Sequence, residues 1–411
     1  MTSLVTLAVD PGTSLTKCIY QVDGGAPQLL ALPPEAVKLP RGLEDTLQEQ
    51  CRDSNLYGKT NASELIWYAP DKEGDLYAVG ALACHYQQEV DIKRLKYESA
   101  EIKILGIIGA IAQQESLSRF TIHIAMLLPF GEYRDGDKLH HRLKEKLSRS
   151  FYWHGRTRIR AKLGNWSCYP EGSGRMLAYM EEIGAEEFNR RNVVVLMLGH
   201  RNASILKMLQ GRDSGESESS DRYGFYRFID HILESKSGYS SEDFMGAITA
   251  ETSTTRLGDL PTEYRIDAEK VAHLRNRYQS NIEQESQDID AAIASARLRY
   301  TQSLEDWIER KTYGEKIDKI LFCGGACLFF KEELEKFNVS EFAADIAGVG
   351  GDNIDSNNDS VQSLGQALDL NESQLQSIGY RLVDVFALFN YFRPTDDDIK
   401  KASQKSTAVY A

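Results

Sequence analysis

A hairpin pattern close to the start of the sequence restricts the fold more than any other feature. Residues 4–20 read Leu-Val-Thr-Leu-Ala-Val-Asp-Pro-Gly-Thr-Ser-Leu-Thr-Lys-Cys-Ile-Tyr. Two apolar runs, at 5–9 and 16–20, flank a turn at Pro11-Gly12 and predict two strands of a β-hairpin. The first run ends at Asp10, and the second begins beside Lys17.

The residue types at this turn suit the binding of phosphate. Phosphate oxygens need inward-pointing backbone N–H groups and a nearby cation, and a glycine lets the main chain approach closely. Lys17 can supply the charge, and Asp10 can hold a hydrated Mg²⁺ through its waters. The backbone donors would come from Gly12, Thr13, Ser14 and Leu15. The alternative is an ordinary tight turn that satisfies its own hydrogen bonds.

A second hairpin of the same shape spans residues 192–210. Gly199 follows Met197 by two residues, as Gly12 follows Asp10. Such self-similarity predicts duplicated domains with a ligand in the cleft between the two turns. The alternative is that 193–198 is simply a buried strand of an α/β sheet.

A third segment, residues 319–328, is a predicted strand that runs into paired glycines. Gly324 and Gly325 would let a nucleotide approach the start of the following helix. The same pattern also occurs in plain connections between a strand and a helix.

Together these segments resemble the actin, Hsp70 and sugar-kinase superfamily, and within it the plasmid-segregation actins of the ParM or StbA family. The resemblance also rests on Leu-Pro-Phe-Gly-Glu-Tyr at 128–133 and on Tyr-Pro-Glu at 169–171. It implies an α/β, actin-like (ribonuclease H-like, duplicated) two-domain fold with an interdomain nucleotide cleft. Domain I would span 1–184 with 378–393 returning to it, domain II would span 190–377, and 394–411 would be a flexible tail.

The resemblance also implies ATP or ADP with Mg²⁺ as cofactors. Glu171 would help to position the water that attacks the γ-phosphate. Asp10 would share the catalytic role and hold Mg²⁺ through water. The nucleotide would contact a larger set, namely Asp10, Gly12, Thr13, Ser14, Leu15, Lys17, Gly199, His200, Gly324, Gly325 and Ala326.

The second turn departs from the family pattern. The family has Asp-Leu-Gly-Gly-Thr-Thr-x-Asp, whereas this chain has Met-Leu-Gly-His-Arg-Asn-Ala-Ser at 197–204. The thioether of Met197 is a weak acceptor that cannot replace a carboxylate beside Mg²⁺. Loss of one such group commonly lowers a rate by about 10²–10³. Nucleotide binding with slow hydrolysis is therefore expected. Arg201 is predicted to point from the hairpin tip into water, and the alternative is that it approaches the phosphates and compensates some of their negative charge.

Composition restricts the partners. The net charge of −13 argues against direct, non-specific binding of nucleic acid, so any link to DNA would need an adaptor protein. No apolar run is long enough for a transmembrane segment, and no signal peptide is recognisable, so a cytoplasmic location is expected. The six cysteines lack zinc spacing and are interpreted as structural thiols.

Further elements follow from pattern and composition. Helices are predicted over 99–114 and 173–183, with a charged connector at 184–192, and one or two long helices are predicted over 268–309. Polar stretches at 211–221 and 352–360 are predicted to be surface loops, the first of them mobile. The long helices are expected to bury part of Tyr278, Ile282, Ile289, Ile293 and Leu298.

Three functions are compatible with these features. The first is an actin-like ATPase that polymerises with itself into cytoskeletal filaments, for DNA or plasmid segregation or for cell architecture. The second is a small-molecule kinase of the same fold, which needs a general base for a substrate hydroxyl, and no such carboxylate stands out. The third is an Hsp70-like regulatory ATPase, a family in which a long substrate-binding domain follows the nucleotide domain.

Overall fold

The protein is described by a computed structural model that covers residues 2–57, 63–86, 95–251, 263–276, 278–335, 344–346 and 364–394. The chain divides into two compact units, residues 1–170 with 385–411 and residues 171–384. No described helix is both long and apolar enough to cross a membrane.

The strands are β1 (Ser3–Pro11), β2 (Thr16–Val22), β3 (Gln28–Leu32), β4 (Ala36–Leu39), β5 (Ile66–Ala69), β6 (Leu76–Val79), β7 (Arg119–Leu128), β8 (Phe151–Trp153), β9 (Thr157–Pro170), β10 (Asn192–Leu198), β11 (Ala203–Leu209), β12 (Arg212–Asp213), β13 (Glu218–Ser220), β14 (Ile248–Glu251), β15 (Glu263–Ile266), β16 (Lys319–Cys323) and β17 (Ala344–Ile346). The α-helices are α1 (Glu44–Tyr57), α2 (Ala81–Cys84), α3 (Lys96–Gln114), α4 (Gly136–Arg149), α5 (Ser173–Ile183), α6 (Ala185–Phe188), α7 (Phe225–Leu233), α8 (Ser241–Met245), α9 (Ala268–His273), α10 (Gln279–Thr312), α11 (Lys331–Glu335) and α12 (Glu372–Phe392).

The first unit is built on a nine-stranded sheet in the order β3-β2-β1-β7-β9-β8-β5-β6-β4. Strand β1 is antiparallel to β2 and parallel to β7. The middle of the sheet contains continuous apolar runs, such as Ile-Ala-Met-Leu-Leu at 124–128, and all five of these residues are buried. A strand of this kind needs to be covered on both faces of the sheet. Helices α3 and α4 contribute Ile104, Ile108, Leu139 and Leu143 to the same core.

The second unit contains a six-stranded sheet in the order β12-β11-β10-β16-β17, with β13 also paired to β11. Its strand senses repeat those of β3-β2-β1-β7-β9 in the first unit, with two antiparallel pairs followed by two parallel pairs. The predicted duplication of an α/β fold is therefore confirmed. The core of this unit is closed by α7, α9 and α10.

Most predicted elements are present within a few residues of their expected limits. The hairpins, the helix at 173–183 and the long helices over 268–309 are confirmed. Residues 184–192, expected to be a connector, contain the short helix α6. On α10, Ile282 and Ile289 are buried and Ile293 is partly buried, as predicted.

Two predictions about the second unit are wrong, one on the burial of two side chains and one on the absence of regular structure at 211–221. Tyr278 is 75% exposed because it precedes the first turn of α10 as its N-cap residue, and Leu298 is 61% exposed because it lies outside the apolar face of α10. The supposed mobile loop at 211–221 instead contains β12 and β13, which extend the sheet beside β11. The buried ammonium of Lys207 fixes this segment, since its Nζ lies 2.6 Å from the Glu216 carboxylate and 2.6 Å from that of Glu315. The predicted loop at 352–360 and the tail from 395 onward lie outside the described residues.

Candidate functional site

The first predicted turn is a four-residue connection between β1 and β2. Asp10 pairs with Lys17 and Pro11 with Thr16, which leaves Gly12 to Leu15 as the turn. A β-carbon at Gly12 would collide with the carbonyl oxygen of Leu15, so the turn needs glycine at this position. The backbone of the turn therefore approaches itself closely between Gly12 and Leu15.

A buried ion pair stands at the base of this turn. Lys17 Nζ lies 2.5 Å from Asp10 Oδ2, and Asp10 is only 2% exposed. Burial alone would raise the pKa of Asp10, but the charge of Lys17, helped by Lys96 and Lys103, holds that pKa below its usual value. Asp10 is therefore ionised at neutral pH. Its second oxygen, Oδ1, is buried and has no hydrogen-bond partner among the described residues.

Lys103 is a second buried cation beside the turn, and the sequence analysis missed it. It is 3% exposed and donates from Nζ to the carbonyl oxygens of Pro11 and Gly12, at 3.4 and 3.5 Å. Burial, followed by the charge of Lys96, lowers the pKa of Lys103 to about 8. The available signal was a lysine in the apolar stretch Ile-Lys-Ile-Leu at 102–105. Lys103 fixes the main chain of the turn and adds positive charge behind it.

The second turn has the same length and register as the first. Met197 pairs with Ser204 and Leu198 with Ala203, so the turn is residues 199–202. Met197 thus occupies the place of Asp10, and Ser204 that of Lys17. The Gly199 amide donates to the Asn202 carbonyl at 2.9 Å. The second hairpin is a structural counterpart of the first that lacks its ion pair.

The start of α7 closes over the second turn. The Phe225 amide donates to the carbonyl oxygen of Gly199 at 3.0 Å, and the Tyr226 amide donates to that of His200 at 3.0 Å. Arg201 is only 8% exposed, so the prediction that it points into water is wrong. It is buried because α7 packs against the main chain of this turn. The prediction treated the hairpin tip alone and did not include this helix.

Both hairpins carry buried polar atoms that have no hydrogen-bond partner among the described residues. In the second hairpin, Asn202 Oδ1 and Ser204 Oγ have no hydrogen-bond partner within the part of the chain that the structure describes. In the first hairpin the same is true of Thr16 Oγ1 and Asp10 Oδ1. Buried polar groups are normally satisfied, so such atoms need a ligand or ordered water. The hydroxyls of Thr16 and Ser204 are suited to donate to a phosphate, and Asp10 Oδ1 is suited to accept from a hydrated Mg²⁺. These atoms therefore fit a nucleotide with its metal.

Glu171 begins the second unit and is fully buried. The adjoining main chain is held by Asp384 of α12, whose Oδ2 accepts from the Gly172 amide at 2.7 Å and whose Oδ1 accepts from the Arg175 amide at 3.1 Å. Asp384 therefore caps the N-terminus of α5, where a carboxylate is favoured. Asp384 was not among the predicted site residues, although Leu-Val-Asp-Val-Phe at 382–386 places an acid in an apolar run.

The Gly324-Gly325-Ala326 segment lies beside the second turn. Gly324 has a φ of +94°, and a β-carbon there would collide with the carbonyl oxygen of Leu198. That carbonyl oxygen also accepts from the Ala326 amide at 3.3 Å. The structure thus brings together Gly324, Gly325 and Ala326 with Gly199 and His200 in the second unit. The first unit brings together Asp10, Gly12, Thr13, Ser14, Leu15 and Lys17.

The fold defined by these two sheets is the actin-like two-domain fold. ParM of Bacillus thuringiensis, solved with ATP, superposes with a TM-score of 0.51 at 13% identity, over 95% of this chain and 100% of that one. The archaeal actin homologue Ta0583 has a TM-score of 0.51 at 12% identity, over 94% and 98% of the two chains. The Alp12 filament structure has a TM-score of 0.50 at 14% identity, over 94% and 99%. No protein-family model and no curated protein matches the sequence.

Proposed function

We propose that this protein is an actin-like ATP-binding protein that polymerises into filaments and hydrolyses ATP slowly. The observation that carries the proposal is the Asp10–Lys17 pair at a glycine turn, in which Asp10 is buried and its Oδ1 has no hydrogen-bond partner among the described residues. An ionised carboxylate is costly to bury, so its second oxygen is expected to accept from a ligand. Hydrated Mg²⁺ beside a nucleotide phosphate meets that need.

Each part of the candidate site has a distinct role in this proposal. The backbone amides of residues 12–15 and the ammonium of Lys17 hold phosphate oxygens, and Thr16 and Ser204 donate from their hydroxyls. Asp10 would hold Mg²⁺ through the waters bound to it, and the metal would neutralise phosphate charge. The segment at 324–326 receives the adenosine. Glu171 orients the attacking water, and Asp384 fixes the main chain beside it.

Slow hydrolysis follows from the second turn. At the position where Asp10 stands in the first hairpin, the second has the thioether of Met197, which cannot orient water or accept strongly from a metal-bound water. Glu171 then remains as the buried carboxylate for the attacking water. ATP would bind and be turned over slowly.

Self-association is the second half of the proposal. Alp12 has been solved as a filament, and its fold matches this chain over almost its whole length. Head-to-tail contacts between identical subunits propagate when their rotation does not close a ring. An adaptor protein would then connect the filament to its cargo, such as DNA or a plasmid.

The test of nucleotide binding is calorimetric titration of ATP with Mg²⁺ and with EDTA, on the natural chain and on Asp10→Asn. The natural chain is expected to bind ATP more tightly with Mg²⁺. Asp10→Asn should lose at least about tenfold in affinity with Mg²⁺ while losing little in EDTA, because the variant removes charge but not volume. Asp75→Asn is the matched control, since the Asp75 side chain is 44% exposed and pairs only with Lys38 among the ion pairs of the described residues.

Two results would count against the proposal. If the natural chain does not bind ATP under either condition, the nucleotide function is wrong. If Asp10→Asn keeps the full preference for Mg²⁺, the metal is held elsewhere and the role of Asp10 is wrong.

A further inference from the structure

A thiol and an imidazole form a pair in the first unit, outside the candidate nucleotide site. Cys51 lies on α1 and is partly buried, and its Sγ is 3.6 Å from Nδ1 of His154. The two residues are 103 positions apart in the sequence, so only the fold brings them together. A nucleophile within hydrogen-bond reach of a base is the arrangement that activates cysteine side chains.

The protonation of His154 is set by its other nitrogen. Nε2 lies 2.8 Å from the carbonyl oxygen of Leu65, which can only accept a hydrogen bond. Nε2 therefore carries the proton of the neutral ring, and Nδ1 presents a lone pair to the thiol. Cys51 donates its S–H to His154, and the backbone of Leu65 orients the base.

Two tryptophans complete the arrangement. The His154 ring stacks with Trp153, with centroids 4.5 Å apart, and with Trp67, at 5.3 Å. Burial lowers the pKa of His154, and the two aromatic faces favour the imidazolium once it forms. The indole N–H of Trp67 also donates to Cys51 Sγ at 3.4 Å, which favours negative charge on the sulfur. The group thus has a nucleophile, an oriented base and a donor for the thiolate.

We propose that Cys51 is a modification site, a thiol activated by His154 and Trp67 for attack on small uncharged electrophiles such as hydrogen peroxide. Because Cys51 is partly buried, only small reagents are expected to reach its sulfur. This inference does not depend on nucleotide binding. It replaces the interpretation of all six cysteines as structural thiols.

The reaction with hydrogen peroxide balances without any other reagent. The thiol proton passes from Sγ to Nδ1 of His154 as the sulfur attacks one peroxide oxygen. The O–O bond breaks, and the departing hydroxide takes the proton back from the imidazolium and leaves as water. Sulfur is oxidised by two electrons to a sulfenic acid, and peroxide is reduced by two. Burial raises the pKa of the Cys51 thiol, so the base must take the proton as the sulfur attacks.

The chain contains its own control for exposure. Cys84 is exposed, but its thiol donates to Oε2 of Glu35 at 3.0 Å. Burial and the Glu35 carboxylate raise the pKa of Cys84 to about 12. Accessibility therefore favours Cys84, whereas activation favours Cys51. The order of their reaction rates distinguishes the two.

The experiment treats the full-length protein with limiting hydrogen peroxide, traps sulfenic acid with dimedone and measures each cysteine by mass spectrometry. Cys51 is expected to be labelled at least about tenfold faster than Cys84, a modest share of what an oriented base contributes. His154→Asn should slow Cys51 by about tenfold without changing Cys84, since asparagine tolerates the φ of +51° found at His154. Trp67→Phe should slow Cys51 by a smaller factor.

Faster labelling of Cys84 than of Cys51 in the natural chain would overturn the proposal, as would an unchanged rate at Cys51 in His154→Asn. Labelling of the buried Cys18 and Cys323 reports unfolding of a variant. If His154→Asn unfolds, Trp67→Phe decides: a slower Cys51 supports the proposal, and an unchanged rate contradicts it.

Discussion

Charged side chains that are buried around the first turn have shifted pKa values. Lys17 stabilises Asp10 as a carboxylate. Lys103 is buried beside the turn, and this burial lowers its pKa to about 8. A charge in such a place costs free energy unless a partner compensates for it. The titration of Lys103 therefore reports on its surroundings.

Lys103 should make stability depend on pH in the alkaline range. Its pKa is about 8 in the folded protein and 10.5 without the fold, so the unfolded chain binds more protons between these values. This contribution to the free energy of unfolding therefore rises with pH across that window, by about 2 kcal/mol between pH 7 and 9.5. In urea unfolding at both pH values, Lys103→Met should lack this gain relative to the natural chain.

The matched control is Lys146→Met, which removes an exposed lysine of the same unit. It should keep the dependence on pH of the natural chain. An equal gain in Lys103→Met and in the natural chain would show that Lys103 does not titrate in this range.

The second turn should respond to restoration of its missing acid. Met197 occupies the register position of Asp10, so Met197→Asp would place a carboxylate at the corresponding strand end. We expect phosphate release from ATP to accelerate at least about tenfold, a fraction of the effect usually lost with such a group. Met197→Leu is the control and should leave release at the slow rate of the natural chain. Fast release by the natural chain itself would contradict the proposed effect of Met197.

Single elements are connected through caps that join distant parts of the chain. The N-terminus of α5 is held by Asp384 from α12, 212 residues away from Gly172. The cap fixes the main chain beside Glu171, so its loss should change both stability and the position of that carboxylate.

Removal of the Asp384 carboxylate should have a larger effect than removal of an exposed carboxylate. Asp384→Ala is expected to lower the free energy of unfolding by about 2 kcal/mol, because two buried amides lose their acceptor. It should also slow phosphate release more than it weakens ATP binding. Urea unfolding and release assays measure the two effects. Asp306→Ala, on the exposed face of α10, should change neither, and an effect of Asp384→Ala no larger than that of Asp306→Ala would rule out the cap.

The duplicated sheets define the behaviour expected of the whole molecule. Each unit presents a strand–turn–strand hairpin at the same position of an equivalent sheet. In the proposed function ATP would favour the conformation for which it has the higher affinity. Assembly would then depend on nucleotide.

Sedimentation of the purified protein tests this assembly. With ATP and Mg²⁺, or with a non-hydrolysable analogue, the protein is expected to pellet on ultracentrifugation, and with no nucleotide it should stay in solution. Slow hydrolysis should make the ATP polymer nearly as persistent as the analogue polymer. Protein that binds ATP and remains soluble in every tube would refute the filament and direct attention to kinase substrates.

Local patterns in the sequence were sufficient for the α/β class, the two hairpins, the glycine turns and the helices expected at 99–114, at 173–183 and within 268–309. These features depend on backbone sterics and on the spacing of apolar residues within one segment. The duplication could also be inferred, because Gly12 and Gly199 stand at equivalent positions in similar segments.

Contacts between segments far apart in sequence decided the rest. The burial of Arg201 under α7, the reach of Lys103 to Gly12, the cap of Asp384 on α5 and the pairing of Cys51 with His154 depend on which elements pack together. No local pattern encodes these neighbours, since the burial and the pKa of a side chain are properties of its surroundings. The sequence by itself determined where the turns lie, and the tertiary structure decided which charges and nucleophiles stand around them.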